Sequence, residues 1–198
     1  MADSYLTVAG VSTATIREKM SRFIAFVHPV RSAEQAKGVI GEYQKKYHDA
    51  RHVCWAFMIG QERKEFLSSD NGEPSGTAGK PILGQINSFN LTNVVIVVVR
   101  YFGGIKLGTP GLIQAYRESA RAAIEEGTII EERVMAEATV TFGYVSLTPV
   151  MRLLKTPGVT ILSQDFDNTC SITFTTAEDD MVVLLGQLRK VEGLCVEG

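Results

Sequence analysis

Residues 93–101 read N-V-V-I-V-V-V-R-Y, an almost unbroken run of β-branched side chains. Two heavy atoms on Cβ restrict χ1 in a helix and favour extended backbone. With no polar alternation, the run predicts a strand buried on both faces. Glycine-rich turns flank it. Residues 69–83 read S-D-N-G-E-P-S-G-T-A-G-K-P-I-L, and residues 102–116 read F-G-G-I-K-L-G-T-P-G-L-I-Q-A-Y. Each turn leads into an expected helix. In the first, Thr77 is the expected N-cap, Pro81 sits in the first turn, and Ile82, Leu83, Ile86 and Phe89 form an apolar face. In the second, Thr109 caps, Pro110 takes the first helical position, and Leu112, Ile113, Tyr116, Ala120, Ala123 and Ile124 form the buried stripe, ended by Gly127.

The rest of the chain reads as alternating strands and helices. Residues 13–19 and 21–27 are rich in β-branched and aromatic types and predict two strands. Ser32 followed by Gln35 is a capping-box start. Ala36, Val39, Ile40, Tyr43 and Tyr47 then recur at helical spacing. Residues 52–59 predict a mostly apolar strand, 61–64 a polar turn and 65–67 a short returning strand. A new unit begins near Arg133. Residues 136–145 alternate as a strand, 147–155 form a helix stopped by Thr156-Pro157-Gly158, and 159–166 with 169–175 form a hairpin. Thr176 with Asp179 opens a helix carrying Met181, Leu184, Leu185, Leu188 and Val191, and 193–196 close with a strand. The order β-α-β-β-α-β is the ferredoxin-like plan. The fold class expected is therefore α+β in two domains, residues 1–132 and 133–198.

Bulk properties narrow the function. At 198 residues with 45% hydrophobic and 21% charged residues, the chain can build real cores. A formal net charge of −2 argues against a broadly basic nucleic-acid face but not against a local patch. Cys54, Cys170 and Cys195 share no C-x-x-C spacing, and free thiols in a reducing compartment are expected. Residues 1–10 carry no basic start or long apolar stretch, so no signal peptide is expected. The apolar run 94–99 is too short to span a bilayer. A cytoplasmic protein without a membrane partner is the expectation.

Charged residues gather at the strand ends and turns: Asp70, Glu73, Lys80, Arg100 and Lys106. Neither glycine turn is a nucleotide fingerprint. Lys80 is followed by Pro81 rather than Ser or Thr, and G-G-I-K-L-G over 103–108 departs from G-x-G-x-x-G. Glycine turns still let backbone N–H groups face outward, and a helix N-terminus favours an anion. Lys80, Arg100 and Lys106 supply countercharge. Asp70 and Glu73 admit two readings, a carboxylate pair dividing acid and base roles or ordinary turn and cap acids. His52 and Cys54, two apart on a strand, face the same side, but a thiolate nucleophile there requires a depressed pKa. His28, His48 and His52 lack metal-ligand spacing, so neither metal nor cofactor is expected.

Four motifs in order resemble the IMPACT/YigZ family: K-M-S-R-F at 19–23, D-A-R-H at 49–52, D-N-G-E-P-S-G-T-A-G-K-P at 70–81 and V-R-Y-F-G-G-I-K-L-G at 99–108. Asn71 stands where the family has a second Asp, which weakens a carboxylate-pair mechanism. The resemblance implies a first domain with the β/α fold of domain four of elongation factor G and a second, ferredoxin-like one. It also implies a role in translation. The leading expectation is a non-enzymatic protein that binds RNA or a ribosome-associated partner. Arg51, His52, Lys80, Arg100 and Lys106 would contact phosphate, Tyr101 or Phe102 would stack on a base, and Asp70, Glu73, Thr77, Gly103 and Gly104 would shape the site. The alternatives are a small-molecule or phosphate-ester hydrolase using Asp70 and Glu73, and a protein-interaction adaptor whose glycine loops only make turns.

Overall fold

The computed structural model describes residues 4–197. The outer limits of the expected domains, residues 1 and 198, lie outside the described residues. The chain is a mixed protein of sheets and helices that divides into two compact units, Tyr5–Glu132 and one built chiefly from residues 133–197.

The first unit is organised by a five-stranded antiparallel sheet. Its strands are β2 (Ser12–Glu18), β3 (Ser21–Pro29), β6 (Val94–Tyr101), β4 (His52–Ile59) and β5 (Glu65–Ser69), in that spatial order. The apolar run is the central strand, and Val94 to Val99 are fully buried. Its period of two divides the core. Val94, Ile96 and Val98 face a cluster with α2 (Gly79–Ser88) and α3 (Gly108–Glu125). Val95, Val97 and Val99 face the other cluster, with α1 (Ala33–Lys46). Arg100 continues the even positions, so alternation turns it toward the α2–α3 face. Its cross-strand neighbours there are Phe23 and His52.

Local chemistry sets the helix starts. Ser32 caps α1 by accepting from the Gln35 N–H at 3.1 Å, while Gln35 Oε1 accepts from the Arg31 N–H rather than from Ser32. Thr77 does not cap α2. The N-cap is Ala78, and Thr77 Oγ1 donates instead to the Pro74 carbonyl at 2.6 Å. The capping acceptor is Asp70, whose carboxylate takes the N–H groups of Gly76, Ala78 and Gly79 at 2.8–3.0 Å. Thr109 does not cap α3 either, because the helix begins two residues earlier than expected, at Gly108, with Leu107 as N-cap. A two-stranded ribbon, β1 (Ser4–Val8) with β7 (Ile129–Arg133), is absent from the sequence reading. Each strand is five residues long, and the pair is more than 120 residues apart in the chain.

The second unit runs β8 (Met135–Phe142), α4 (Leu147–Leu154), β9 (Thr160–Phe166), β10 (Cys170–Ala177), α5 (Glu178–Leu188) and β11 (Cys195–Glu197). Its antiparallel sheet has the order β11-β8-β10-β9 and shares no strand with the five-stranded sheet. Val140, Phe142, Ile172 and Phe174 pack beneath Val150, Leu154, Leu184 and Leu188. Thr176 does not cap α5; its N-cap is Ala177, and the buried Thr176 hydroxyl has no hydrogen-bond partner. Among the described residues no helix is long and apolar enough to cross a membrane.

Candidate functional site

The two glycine-rich turns meet at the start of β4 and the end of β6 and enclose a cleft of about 470 Å³. Arg51, His52, Glu73, Arg100, Phe102 and Lys106 line it, together with Gly108, Thr109 and Leu112 of α3. Two backbone devices hold the turns in place. Asn71 adopts φ +42° and Gly72 φ +84°, so the chain doubles back beneath His52. Gly103 lies against the β2–β3 hairpin so closely that a Cβ would fall 2.1 Å from the Met20 carbonyl group. Its N–H donates to Ser21 Oγ at 3.3 Å.

At the floor lies a buried polar network. Arg100 Nη1 donates to Glu73 Oε1 at 2.6 Å. The Tyr116 hydroxyl donates to the same oxygen at 2.7 Å. Arg100 Nη2 reaches Ser21 Oγ at 3.4 Å, and its guanidinium lies over the rings of Phe23 and Phe102 at 5.5 and 5.6 Å. Arg100 Nε is buried without a partner. His52 Nδ1 stands 2.9 Å from the Asn71 carbonyl, and its Nε2 faces Glu73 Oε2 at 3.8 Å. The Asn71 side chain accepts from the Val53 N–H at 2.9 Å, which locks the turn to β4.

The two acids have separate tasks. Asp70 is saturated by backbone donors at the start of α2. Burial pushes its carboxyl upward, but the N–H groups of Gly76, Gly79 and Ala78 and the nearby Lys80 outweigh that and hold it below the ordinary range. Glu73 is the buried partner of Arg100 and Tyr116. The His52–Cys54 pairing does not form. Cys54 Sγ donates to the Asp70 carbonyl at 2.9 Å and lies 3.3 Å from Tyr116 Oη. Burial pushes its thiol up to about 12, opposite to what a nucleophile requires. Burial first, then Cys54 and Glu73, drive the Tyr116 hydroxyl far above the usual tyrosine range.

The rim is cationic and open. Arg51 and Lys106 are exposed. Helix α3 starts at the cleft with no side-chain cap and no acid in its first turn. Its leading N–H groups and positive dipole end are therefore uncompensated by the helix itself. Phe102 is 41% exposed beside them.

The remaining expected site residues lie elsewhere. Lys80 lines a separate depression with Gly76, Pro81, Gln85 and Arg117. Thr77 is buried in the α2 turn. Tyr101 donates to Asp49 at 2.9 Å and carries Arg22 over its ring at 4.7 Å. Gly104, at φ +90°, turns the chain out to solvent. Sequence reading placed Tyr116 in the apolar stripe and missed its polar role. The usable signal was a tyrosine among core positions, whose hydroxyl needs a partner when buried. Among the described residues no cluster of three His, Cys, Asp or Glu is arranged to hold a metal.

The Impact N-terminal domain family matches residues 19–124, which contain every residue of this cleft. YigZ of Escherichia coli, an IMPACT family member, is 35% identical over 83% of this chain and 81% of its own. YvyE of Bacillus subtilis, named likewise, is 38% identical over 68% of this chain and 62% of its own. A crystal structure described only as that of a hypothetical protein superposes with a TM-score of 0.80 at 30% identity, covering 99% of this chain and 97% of that one. The chain belongs to the IMPACT family.

Proposed function

We propose that the chain is a non-enzymatic, cytoplasmic protein of translation that binds single-stranded RNA along its phosphate backbone through this cleft. The observation that carries the reading is the uncapped, acid-free start of α3 opening between exposed Arg51 and Lys106. A helix of 18 residues presents free N–H groups and a positive dipole end there, and two exposed cations complete an anion seat. Phe102 supplies an exposed ring for a base. Family membership supplies the setting, translation.

The hydrolase reading loses support from the same geometry. It needs two carboxylates in acid and base roles near a substrate. Asp70 spends its oxygens on three backbone donors, and Glu73 Oε1 is occupied by Arg100 and Tyr116. For the fold, we propose an elongation-factor-G-domain-four-like unit over residues 1–132 and a ferredoxin-like unit over 133–198. The separate sheets and the β-α-β-β-α-β order support that division. Fluorescence anisotropy with a short labelled RNA, titrated at rising salt, tests the binding reading. Affinity should fall steeply with salt.

A further inference from the structure

We infer that the cleft distinguishes ribose from deoxyribose, with His52 Nε2 and Glu73 Oε2 together receiving the 2′-hydroxyl of a nucleotide whose phosphate sits at the start of α3. This deepens the RNA reading and rests on it.

The tautomer of His52 is set by its neighbour. A carbonyl oxygen only accepts, so the 2.9 Å contact with Asn71 puts the ring hydrogen on Nδ1. Nε2 then offers a lone pair. Glu73 is the second acceptor. Its side chain is 3% exposed, and both side-chain donors that reach it, Arg100 and Tyr116, end on Oε1. Oε2 is left facing Nε2 at 3.8 Å, too far for a hydrogen bond between them. Two acceptors therefore face each other across the lining of the cleft, where a donor on a ligand can reach them.

The missing group is a donor. A phosphate oxygen cannot supply it, and a deoxyribose has nothing to offer at that carbon. An incoming ammonium meets Arg51, Arg100 and Lys106 in the same cleft, so a neutral hydroxyl fits better than a cation. The 2′-hydroxyl is the group by which a protein tells RNA from DNA. The seat for phosphate and the acceptor pair line one cleft.

The test uses the full chain and three fluorescein-labelled ten-nucleotide strands at low salt: oligouridylate, its 2′-deoxy counterpart and its 2′-O-methyl counterpart. A hydrogen bond to a charged group predicts ribose preferred on the order of 10-fold or more. The methyl ether, which has no hydroxyl hydrogen, should bind no better than the deoxy strand. In His52→Leu the ribose preference should shrink several-fold, with Glu73 Oε2 left as the remaining acceptor. Equal binding of the ribo and deoxy strands by the unaltered protein overturns the inference and leaves the phosphate seat standing. Binding of none of the three overturns the RNA reading itself. A ribose preference undiminished in His52→Leu removes His52 from the account.

Discussion

The guanidinium of Arg100 meets the carboxylate of Glu73 at 2.6 Å with both side chains more than nine-tenths buried. The two come from different elements, Arg100 from the central strand and Glu73 from the turn before α2, so the pair ties the turn to the sheet. Removing one partner of a buried pair leaves an uncompensated charge and costs about 3–5 kcal/mol. Arg100→Ala and Glu73→Ala should each lower the unfolding free energy by that much, read as a lower urea midpoint with little change in m. The double variant Glu73→Ala with Arg100→Ala should lose much less than the sum of the two single losses. Additive losses would show that the pair is not coupled.

Asp70 should behave as a cap. Its three backbone donors predict a loss of about 1–2 kcal/mol in Asp70→Ala. Its folded pKa lies below the ordinary aspartate value of 3.8. The ionised form therefore contributes stability that is fully present above that value and is lost as pH falls through the folded one. The gap in thermal midpoint between the wild type and Asp70→Asn should be widest near neutrality and should close in acid. A gap independent of pH would contradict the charged cap.

Much of this was readable from the chain. The run at 94–101 announces a doubly buried strand, and the stripes of α1 and α3 announce their packed faces, because hydrophobic periodicity is local. The cap of α2 was not readable. Thr77 has the right chemistry beside the helix, but the acceptor that wins is Asp70, whose carboxylate is brought back by the turn at Asn71 and Gly72. The cationic lining of the cleft was half legible. Arg51, Arg100 and Lys106 line one cleft, whereas Lys80, on the first turn of α2, faces a depression shared with Arg117. Only the packing of α2 against α3 decides which side that turn presents.

The cysteines should divide by burial. Cys195 is exposed, whereas Cys54 and Cys170 are buried. A disulfide reagent at pH 8 should modify Cys195 at once and the other two only as the protein unfolds. The Cys54 thiol is raised from 9.0 to about 12, so its contribution to stability is complete below pH 9 and is lost as pH rises toward 12. Cys54→Ala should lose less stability than the wild type over that interval. Rapid native labelling of Cys54 would contradict its seat under Tyr116.

Two glycines should respond oppositely to alanine. At Gly103 the new Cβ meets Met20 backbone at 2.1 Å and cannot be accommodated without moving the β2–β3 hairpin. A loss of at least ~1–3 kcal/mol is expected. Gly84, inside α2, has nothing within 4 Å of the added atom. Gly84→Ala should gain about 0.5–1 kcal/mol through helix propensity. Thermal midpoints of the two variants check both signs.

The central claim is that the α3 end of the cleft seats RNA phosphate. The direct measurement is the affinity of the full chain for a short single-stranded RNA across a series of salt concentrations, for the wild type, Arg51→Ala and Lys106→Ala. Each neutralised phosphate contributes a slope of roughly 0.7 in log affinity against log salt. The account predicts steep salt dependence in the wild type and a slope shallower by about one contact in each variant, with binding weakened alike across sequences. Affinity that is absent, or unmoved by salt and by both substitutions, would contradict it.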